Sequence, residues 1–278
     1  MIPTENAVIA RTLFLLGSHT AVGLVTTLWA VKGTELGRGF DRLLATLTAT
    51  LAALSLGADP AARAAFPEQA RGFEPALLSP PLLAFAGAIA LIVALGAPIQ
   101  RHLWIGAAAA AGLVSVFIDT FAHHGPVPLP SIGLWLHPIS ALSASLLLGF
   151  GSTAMICGHW YLVGEALPID PLRRLADGLL AWIVLRGIVA VAALSWWWSH
   201  FDPNAADWPT HLAGISPFIL GRVLLGIALP AGAMLLVRGT VRIRSTQSAT
   251  GILYFVFVFL VAGELMAGYV LQRTGIPI

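Results

Sequence analysis

The stretch that decides the fold is ILYFVFVFLVA, Ile252–Ala262, a run of largely apolar residues with no charged side chain. Leu82–Pro98 and Trp104–Ile118 share this character. Hydrophobic residues make up 58% of the 278-residue chain and charged residues 10%, whereas an average soluble domain is about a quarter charged. Together with a mean hydropathy of +0.86, these runs predict a polytopic membrane protein whose first partner is the lipid bilayer.

About eight segments are apolar over the length that a membrane-spanning helix needs. They cover residues 8–31, 40–57, 81–98, 103–122, 134–163, 177–198, 213–237 and 249–271. None shows the alternating polarity of a membrane β-strand. The sequence therefore predicts an all-α, polytopic integral membrane helical bundle, with residues 1–278 forming a single transmembrane domain. Residues 58–80 are predicted as an outer loop, in which PAARAAFPEQARGFEP favours a helix lying on the membrane surface.

The distribution of lysine and arginine over the loops predicts the orientation of the bundle. Loops one, three, five and seven hold Lys32, Arg38, Arg42, Arg101, Arg173, Arg174, Arg238, Arg242 and Arg244, while the opposite side holds Arg11, Arg63, Arg71 and Arg273. Because basic residues favour cytoplasmic loops, both termini are expected on the non-cytoplasmic side. The protein is accordingly expected in the inner (plasma) membrane of a bacterium. The net charge of +2 is spread thinly over short loops, which excludes nucleic acid as a partner.

Four ionisable residues fall inside predicted spans at a shared depth. Counting at about 1.5 Å per residue places His19, Arg186, Arg222 and Glu264 roughly 10–18 Å below the outer surface. Such residues are costly in lipid and mark candidate functional sites. We expect Glu264 and His19 to accept or relay protons as catalytic groups, and Arg186 and Arg222 to bind a ligand. The alternative interpretation is that these charges pair only to hold helices together.

A second polar layer is expected where helices leave the membrane on the outer side. FIDTFAHHGPVPLPSIGLWLH, Phe117–His137, contains Asp119, His123, His124 and His137, and the next outer loop contributes His200 and His211. Imidazole and carboxylate groups could hold zinc or copper, although their spacing matches no metal motif. Ordinary polar residues at the interface explain the same pattern. Intramembrane haem is less favoured, because His19 and His159 do not lie at one depth.

These observations leave three classes of function open. The leading hypothesis is a membrane subunit that handles quinone, protons or both in a redox complex, with other membrane or peripheral subunits supplying the redox centres. A transporter or channel for a small anion or organic acid is the alternative, and a structural or assembly protein is the third. In length and predicted topology the chain resembles the membrane anchors of the DMSO- and polysulfide-reductase type, which exchange electrons with quinol. The sequence carries no motif that assigns it to a family or identifies it as an enzyme, so quinone is the expected cofactor only under the first hypothesis.

Overall fold

The computed structural model describes residues 5–31, 36–64, 78–96, 101–122, 132–163, 167–200 and 208–278. Long helices dominate these residues, and no strand occurs among them. In chain order the helices are α1 (Glu5–Val31), α2 (Arg38–Ala64), α3 (Ser79–Ala94), α4 (Arg101–Ala122), α5 (Ile132–Val163), α6 (Asp170–His200), α7 (Trp208–Val223), α8 (Leu229–Arg242) and α9 (Thr246–Thr274). The prediction of an all-helical fold is confirmed for the described part of the chain.

Six helical segments are long and apolar enough to cross a membrane. They are Val8–Val31, His102–Phe121, Gly133–Val163, Asp170–Ser199, Gly214–Arg242 and Thr246–Thr274. The chain is therefore described as an integral membrane protein with six candidate spans. The helices α2 and α3 lie at the other two predicted positions, but α3 has only 16 residues and α2 is not among the six. The total of about eight spans stays a prediction.

The predicted outer loop at 58–80 begins later than the sequence indicates. Helix α2 continues to Ala64, so the first residues of that loop are helical. Residues 65–77, which carry most of the predicted surface helix, lie outside the described residues. The histidines His123 and His124 also lie outside them, and the side chains of His200 and His211 are not described.

The bundle is organised around α1 and α5, which cross at very short range. Helix α1 packs against α2, α4, α5 and α9, and α5 packs against α1, α4, α6 and α9. At the crossing, a β-carbon on Gly23 would lie 1.9 Å from the carbonyl oxygen of Ser145, and one on Gly149 would lie 2.2 Å from Gly23. Only glycine permits this backbone contact, as in other close helix pairs in membranes. The contact brings His19, one turn before Gly23, beside the N-terminal half of α5.

A π-helical turn interrupts the seventh predicted span directly after Arg222. The residues Leu224–Ala228 form the π-turn, and Pro230 opens α8 behind it. Proline has no amide hydrogen, so it cannot bond to the preceding turn and favours such a local change of pitch. Gly226, inside the π-turn, meets Gly263 on α9, where an added β-carbon would lie 2.3 Å from the Gly226 Cα. This second close crossing places the end of α7 against the middle of α9.

Candidate functional site

Three of the four predicted buried charges form one ion-pair cluster between α6, α7 and α9. Arg186 donates from Nε to Glu264 Oε1 at 3.1 Å and from Nη2 to Glu264 Oε2 at 3.0 Å. Arg222 Nη2 lies 2.8 Å from Glu264 Oε1. The three side chains are buried, with residue exposures of 2%, 0% and 8% for Arg186, Arg222 and Glu264. A single carboxylate therefore serves two guanidinium groups.

Arg186 has two further protein partners. Its Nη1 donates to Ser140 Oγ on α5 at 2.7 Å, and its Nη2 donates to the main-chain oxygen of Ile278 at 2.8 Å. Charge-assisted hydrogen bonds of this kind are short and strongly oriented. Because these bonds fix the guanidinium on several sides, Arg186 joins α5, α6, α9 and the C-terminal residues in one rigid network.

Arg222 is held mainly by charge. None of its side-chain nitrogens has a hydrogen-bond partner among the described residues, so its 2.8 Å contact with Glu264 is an ion pair without hydrogen-bond alignment. Its Nη1 also packs against the glycine crossing, lying where β-carbons on Gly226 and Gly263 would come within 2.6 and 3.0 Å of it. Arg222 thus occupies space that any larger residue at these two glycines would invade.

A cavity of about 320 Å³ lies beside the cluster. His19, Arg186 and Glu264 line it, together with Ser140. Arg222 is not among the described residues on its wall; it stands behind Glu264. The structure thus brings the four predicted residues into one region, with three on the cavity and one in the layer behind. Their roles stay predictions.

Two residues predicted for the outer rim, Asp119 and His137, line this cavity. Asp119 is buried and accepts a hydrogen bond from Arg11 Nη2 at 2.5 Å. His137 is also buried, and its Nδ1 and Nε2 lie 2.9 and 2.8 Å from the carbonyl oxygens of Gly133 and Gly275. Both side chains line the same cavity as His19. Among the described residues, Asp119 and His137 of the predicted rim and His19 of the predicted deeper layer therefore belong to one site.

The described residues hold no group of three or more His, Cys, Asp or Glu side chains that could bind a metal ion. His137 has both ring nitrogens on carbonyl oxygens, so axial ligation of a haem would require breaking one of these contacts.

Sequence reasoning missed three parts of the site. Arg11 was counted as an outer-surface charge, yet it is 2% exposed. A signal was present, because Arg11 and His19 are eight residues apart, close to two helical turns, and so share a face of α1. Ser140 and three C-terminal residues, Gly275, Pro277 and Ile278, also line the cavity, and no local pattern marked them.

Among the described residues, the buried charged side chains around the cavity are three arginines and two carboxylates, Arg11, Arg186, Arg222, Asp119 and Glu264. Arg273, which also lines the cavity, forms an ion pair with Glu5. The Arg273 side chain is mostly buried, whereas the Glu5 carboxylate is mostly exposed. His19 has no hydrogen-bond partner among the described residues. Its ring is therefore a polar group on the cavity wall that a ligand could engage.

No protein-family model matches the sequence, and no curated protein matches it significantly. The geometry of the cavity and its charges therefore has to carry the assignment of function.

Proposed function

We propose that the protein binds a quinone in this cavity and exchanges protons with it, as a membrane subunit of a redox complex. The observation that carries the proposal is the convergence of three polar groups, Ser140 Oγ, Arg186 Nη1 and the His19 ring, on one cavity of about 320 Å³. Ligand sites of this size are mostly apolar with a few placed polar groups. A quinone ring, flat and apolar with two carbonyl oxygens, fits that description.

Ser140 and Arg186 would hold one carbonyl oxygen of the ring. A guanidinium has five N–H groups, and the observed bonds to Glu264, Ser140 and Ile278 occupy all but one, which is on Nη1. The Ser140 hydroxyl accepts from Arg186, so its own hydrogen is free to donate. Two donors are therefore available side by side for one acceptor.

His19 would supply the protons. Reduction of a quinone to its quinol takes up two electrons and two protons, so the site needs a group that can donate a proton and then be reprotonated, and an imidazole ring can do both. The electrons would come from an iron–sulfur or haem centre in a partner subunit. Glu264 has both oxygens bound by guanidinium groups. The proposal therefore makes it the anchor of Arg186, in place of the proton relay that the sequence suggested.

The quinone proposal also agrees with the charge pairing of Arg186. Its charge is already paired in a bidentate contact with Glu264, and the less well bonded Arg222 stands behind that carboxylate. A ligand in the cavity thus meets hydrogen-bond donors without a free positive charge. This suits a neutral, polarised carbonyl better than a full anion.

Within this proposal the chain spans the bacterial inner membrane about eight times, with both termini outside. The apolar outer faces of α2 and α3 support the two additional spans, since Leu54, Phe85, Leu91 and Ile92 are 65%, 42%, 50% and 48% exposed. A reporter enzyme that is active only outside the cytoplasm, fused after residue 278, tests the orientation. An inactive fusion that is nevertheless made and inserted would contradict it.

The proposal is tested on purified protein in detergent. Wild-type protein should retain quinone after purification, measured by solvent extraction and chromatography, and should bind added ubiquinone-0, which has the quinone ring without a tail. Ser140→Ala should weaken this binding about tenfold, because it removes one donor worth about 1.5 kcal/mol, while the matched Ser145→Ala should leave it unchanged. Ser145 is buried on the same helix and donates to its own Ala141 carbonyl at 2.9 Å. No retained quinone and no ubiquinone-0 binding by the wild type would reject the proposal.

The proton-transfer part has its own control. His19→Gln should keep ubiquinone-0 binding within a few-fold but slow quinol-linked turnover of the complete complex. His159→Gln is the control and should not slow turnover, because His159 lies on the exposed side of α5 and its Nδ1 is hydrogen-bonded with the Tyr254 hydroxyl. Equal turnover in both variants would remove His19 from the mechanism.

Transport of a small anion or organic acid is the second candidate, favoured by the excess of buried arginines over buried carboxylates around the cavity. It predicts uptake of an organic acid into proteoliposomes, and loss of that uptake in Arg222→Met. If neither quinone nor anion binds, the remaining explanation is the structural one, in which the cluster only fixes the helices.

A further inference from the structure

We call the cavity beside the ion-pair cluster, lined by His19, Arg186 and Glu264, the charged cavity. A second, larger hollow adjoins it on the other side of α1. It measures about 580 Å³ and lies between α1 and α2 on one side and α5 and α9 on the other. Leu16 belongs to the walls of both hollows. We call the second one the apolar groove.

The groove presents an almost wholly apolar lining. Its walls are leucine, phenylalanine, methionine, isoleucine and valine side chains with a few small residues. Two of its hydroxyl groups are turned to their own helices, since Thr20 donates to the Leu16 carbonyl at 2.6 Å and Ser152 donates to the Leu148 carbonyl at 2.7 Å. The third, Ser55, has no hydrogen-bond partner among the described residues and packs against Gly17, where a β-carbon would come within 2.6 Å of its oxygen. The groove thus suits a hydrocarbon chain.

The groove also opens towards the lipid. Leu13 and Leu54, both on its wall, are 55% and 65% exposed on the outside of the bundle. A molecule could therefore pass from the bilayer between these side chains. It would need no route through the aqueous phase.

On α1 the two hollows occupy neighbouring stripes. Thr12, Leu15 and His19 face the charged cavity, while Leu13, Gly17 and Thr20 face the groove, with Leu16 between them. A ligand with its head at His19 and Ser140 would direct a chain past Leu16 into the groove. The combination of a small polar chamber with an adjoining apolar channel matches a molecule that has a compact head and a long tail.

We propose that the apolar groove holds the isoprenoid tail of the quinone whose ring lies in the charged cavity, so that the ligand is a long-chain, lipid-resident quinone that enters from the bilayer between Leu13 and Leu54. This inference rests on the proposed function and adds to it the class of quinone, the route of entry and the part of the protein that holds the tail. A small soluble anion would gain no favourable contact with the apolar lining of the groove. The competing occupant is an acyl chain of a membrane phospholipid.

The experiment uses the whole chain in lipid nanodiscs and a ubiquinone analogue with a photoreactive diazirine at the end of its ten-carbon tail. After illumination, mass spectrometry of peptides should find the label on groove segments, such as 47–58 of α2 or 152–156 of α5. An excess of decylubiquinone should reduce this labelling at least tenfold, whereas added phospholipid should not.

Two phenylalanine variants separate the tail from the head. Thr20→Phe fills the groove from a residue that is on its wall but not on the wall of the charged cavity, so it should reduce groove labelling at least tenfold and leave ubiquinone-0 binding within twofold. Ile9→Phe is the matched control on the same helix, at a side chain that is 51% exposed and lines neither hollow. It should change neither measurement.

The outcomes are distinguishable. The tail site is overturned, and the proposed function is left standing, if ubiquinone-0 binds but no groove segment is labelled. The same holds if added phospholipid suppresses the groove labelling and decylubiquinone does not. Absence of both ubiquinone-0 binding and competed labelling rejects the proposed function itself. Equal loss of labelling in Thr20→Phe and Ile9→Phe would also overturn the tail site, because the effect would then not depend on filling the groove.

Discussion

Replacing Glu264 with glutamine removes a carboxylate that faces two buried guanidinium groups. Glutamine is nearly isosteric and could still accept a hydrogen bond, so the change deletes charge while preserving shape. In the native structure Glu264 lies 3.0 and 3.1 Å from Arg186 nitrogens and 2.8 Å from an Arg222 nitrogen. Those arginines are 2% and 0% exposed. Arg222 is also absent from the cavity wall as described, so water in the cavity would not directly replace its lost partner.

Removing one member of a buried ion pair typically costs about 3–5 kcal/mol, because the remaining charge is left without compensation. Here two cations lose their partner, and the upper part of that range is expected for Glu264→Gln. Using the size dependence known for soluble proteins, such a loss lowers the midpoint of thermal unfolding by roughly 6–20 °C.

The assay is unfolding of the purified variant in one detergent, followed by far-ultraviolet circular dichroism and, separately, by accessibility of the buried Cys157 thiol. The control is Arg238→Gln, which breaks the 2.7 Å pair with Asp177 on the exposed side of the bundle. Since both partners there are 45% exposed, that loss should stay below about 1 kcal/mol. A Glu264→Gln protein as stable as the Arg238→Gln control would refute the burial argument on which the site depends.

Three further predictions follow from the same contacts. Arg222→Met should stay within about 1–2 kcal/mol of wild-type stability in the same unfolding assay, because it removes a buried cation that has no aligned hydrogen bond and leaves the bidentate pair of Glu264 intact; a loss of 4 kcal/mol or more would contradict this. Gly23→Ala should destabilise the bundle by about 3 kcal/mol, since its β-carbon would lie 1.9 Å from a carbonyl oxygen of α5, whereas Gly232→Ala, with nothing within 4 Å, should cost nothing; equal effects would disprove the close crossing. Asp119→Asn should lower stability by about 3 kcal/mol through loss of its 2.5 Å arginine contact, and a midpoint equal to wild type would show that the pair is solvated.

The sequence predicts the helices well because the bilayer imposes one simple requirement on them. Any segment in lipid must bond its own backbone and expose apolar side chains, so a run such as Ile252–Ala262 has no alternative to a helix. Depth is predictable for the same reason, since a fixed rise per residue converts position in the chain into position across the membrane. Arg186 and Glu264 could therefore be placed at one level before any contact was known.

Rotation of each helix about its axis is not fixed by hydropathy, and this is where the expectations fell short. Asp119 was assigned to an outer rim, and the sequence did not indicate that α4 turns it towards Arg11 and the cavity that it shares with His19. That orientation depends on contacts between helices, above all the α1–α5 crossing at Gly23 and Gly149. Such contacts involve residues over a hundred positions apart, so no local pattern reports them.

The same geometry limits how mutants at this site can be interpreted. Because Glu264 orients Arg186, and Arg186 in turn bonds Ser140 and Ile278, a Glu264 variant will disturb ligand contacts and stability together. Loss of activity in that variant would then say nothing about proton transfer. Ser140 and His19 are the informative positions, since each faces the cavity without carrying the ion-pair network. A residue's cost of burial identifies where a site is, whereas the groups that remain free to bond a ligand indicate what the site can do.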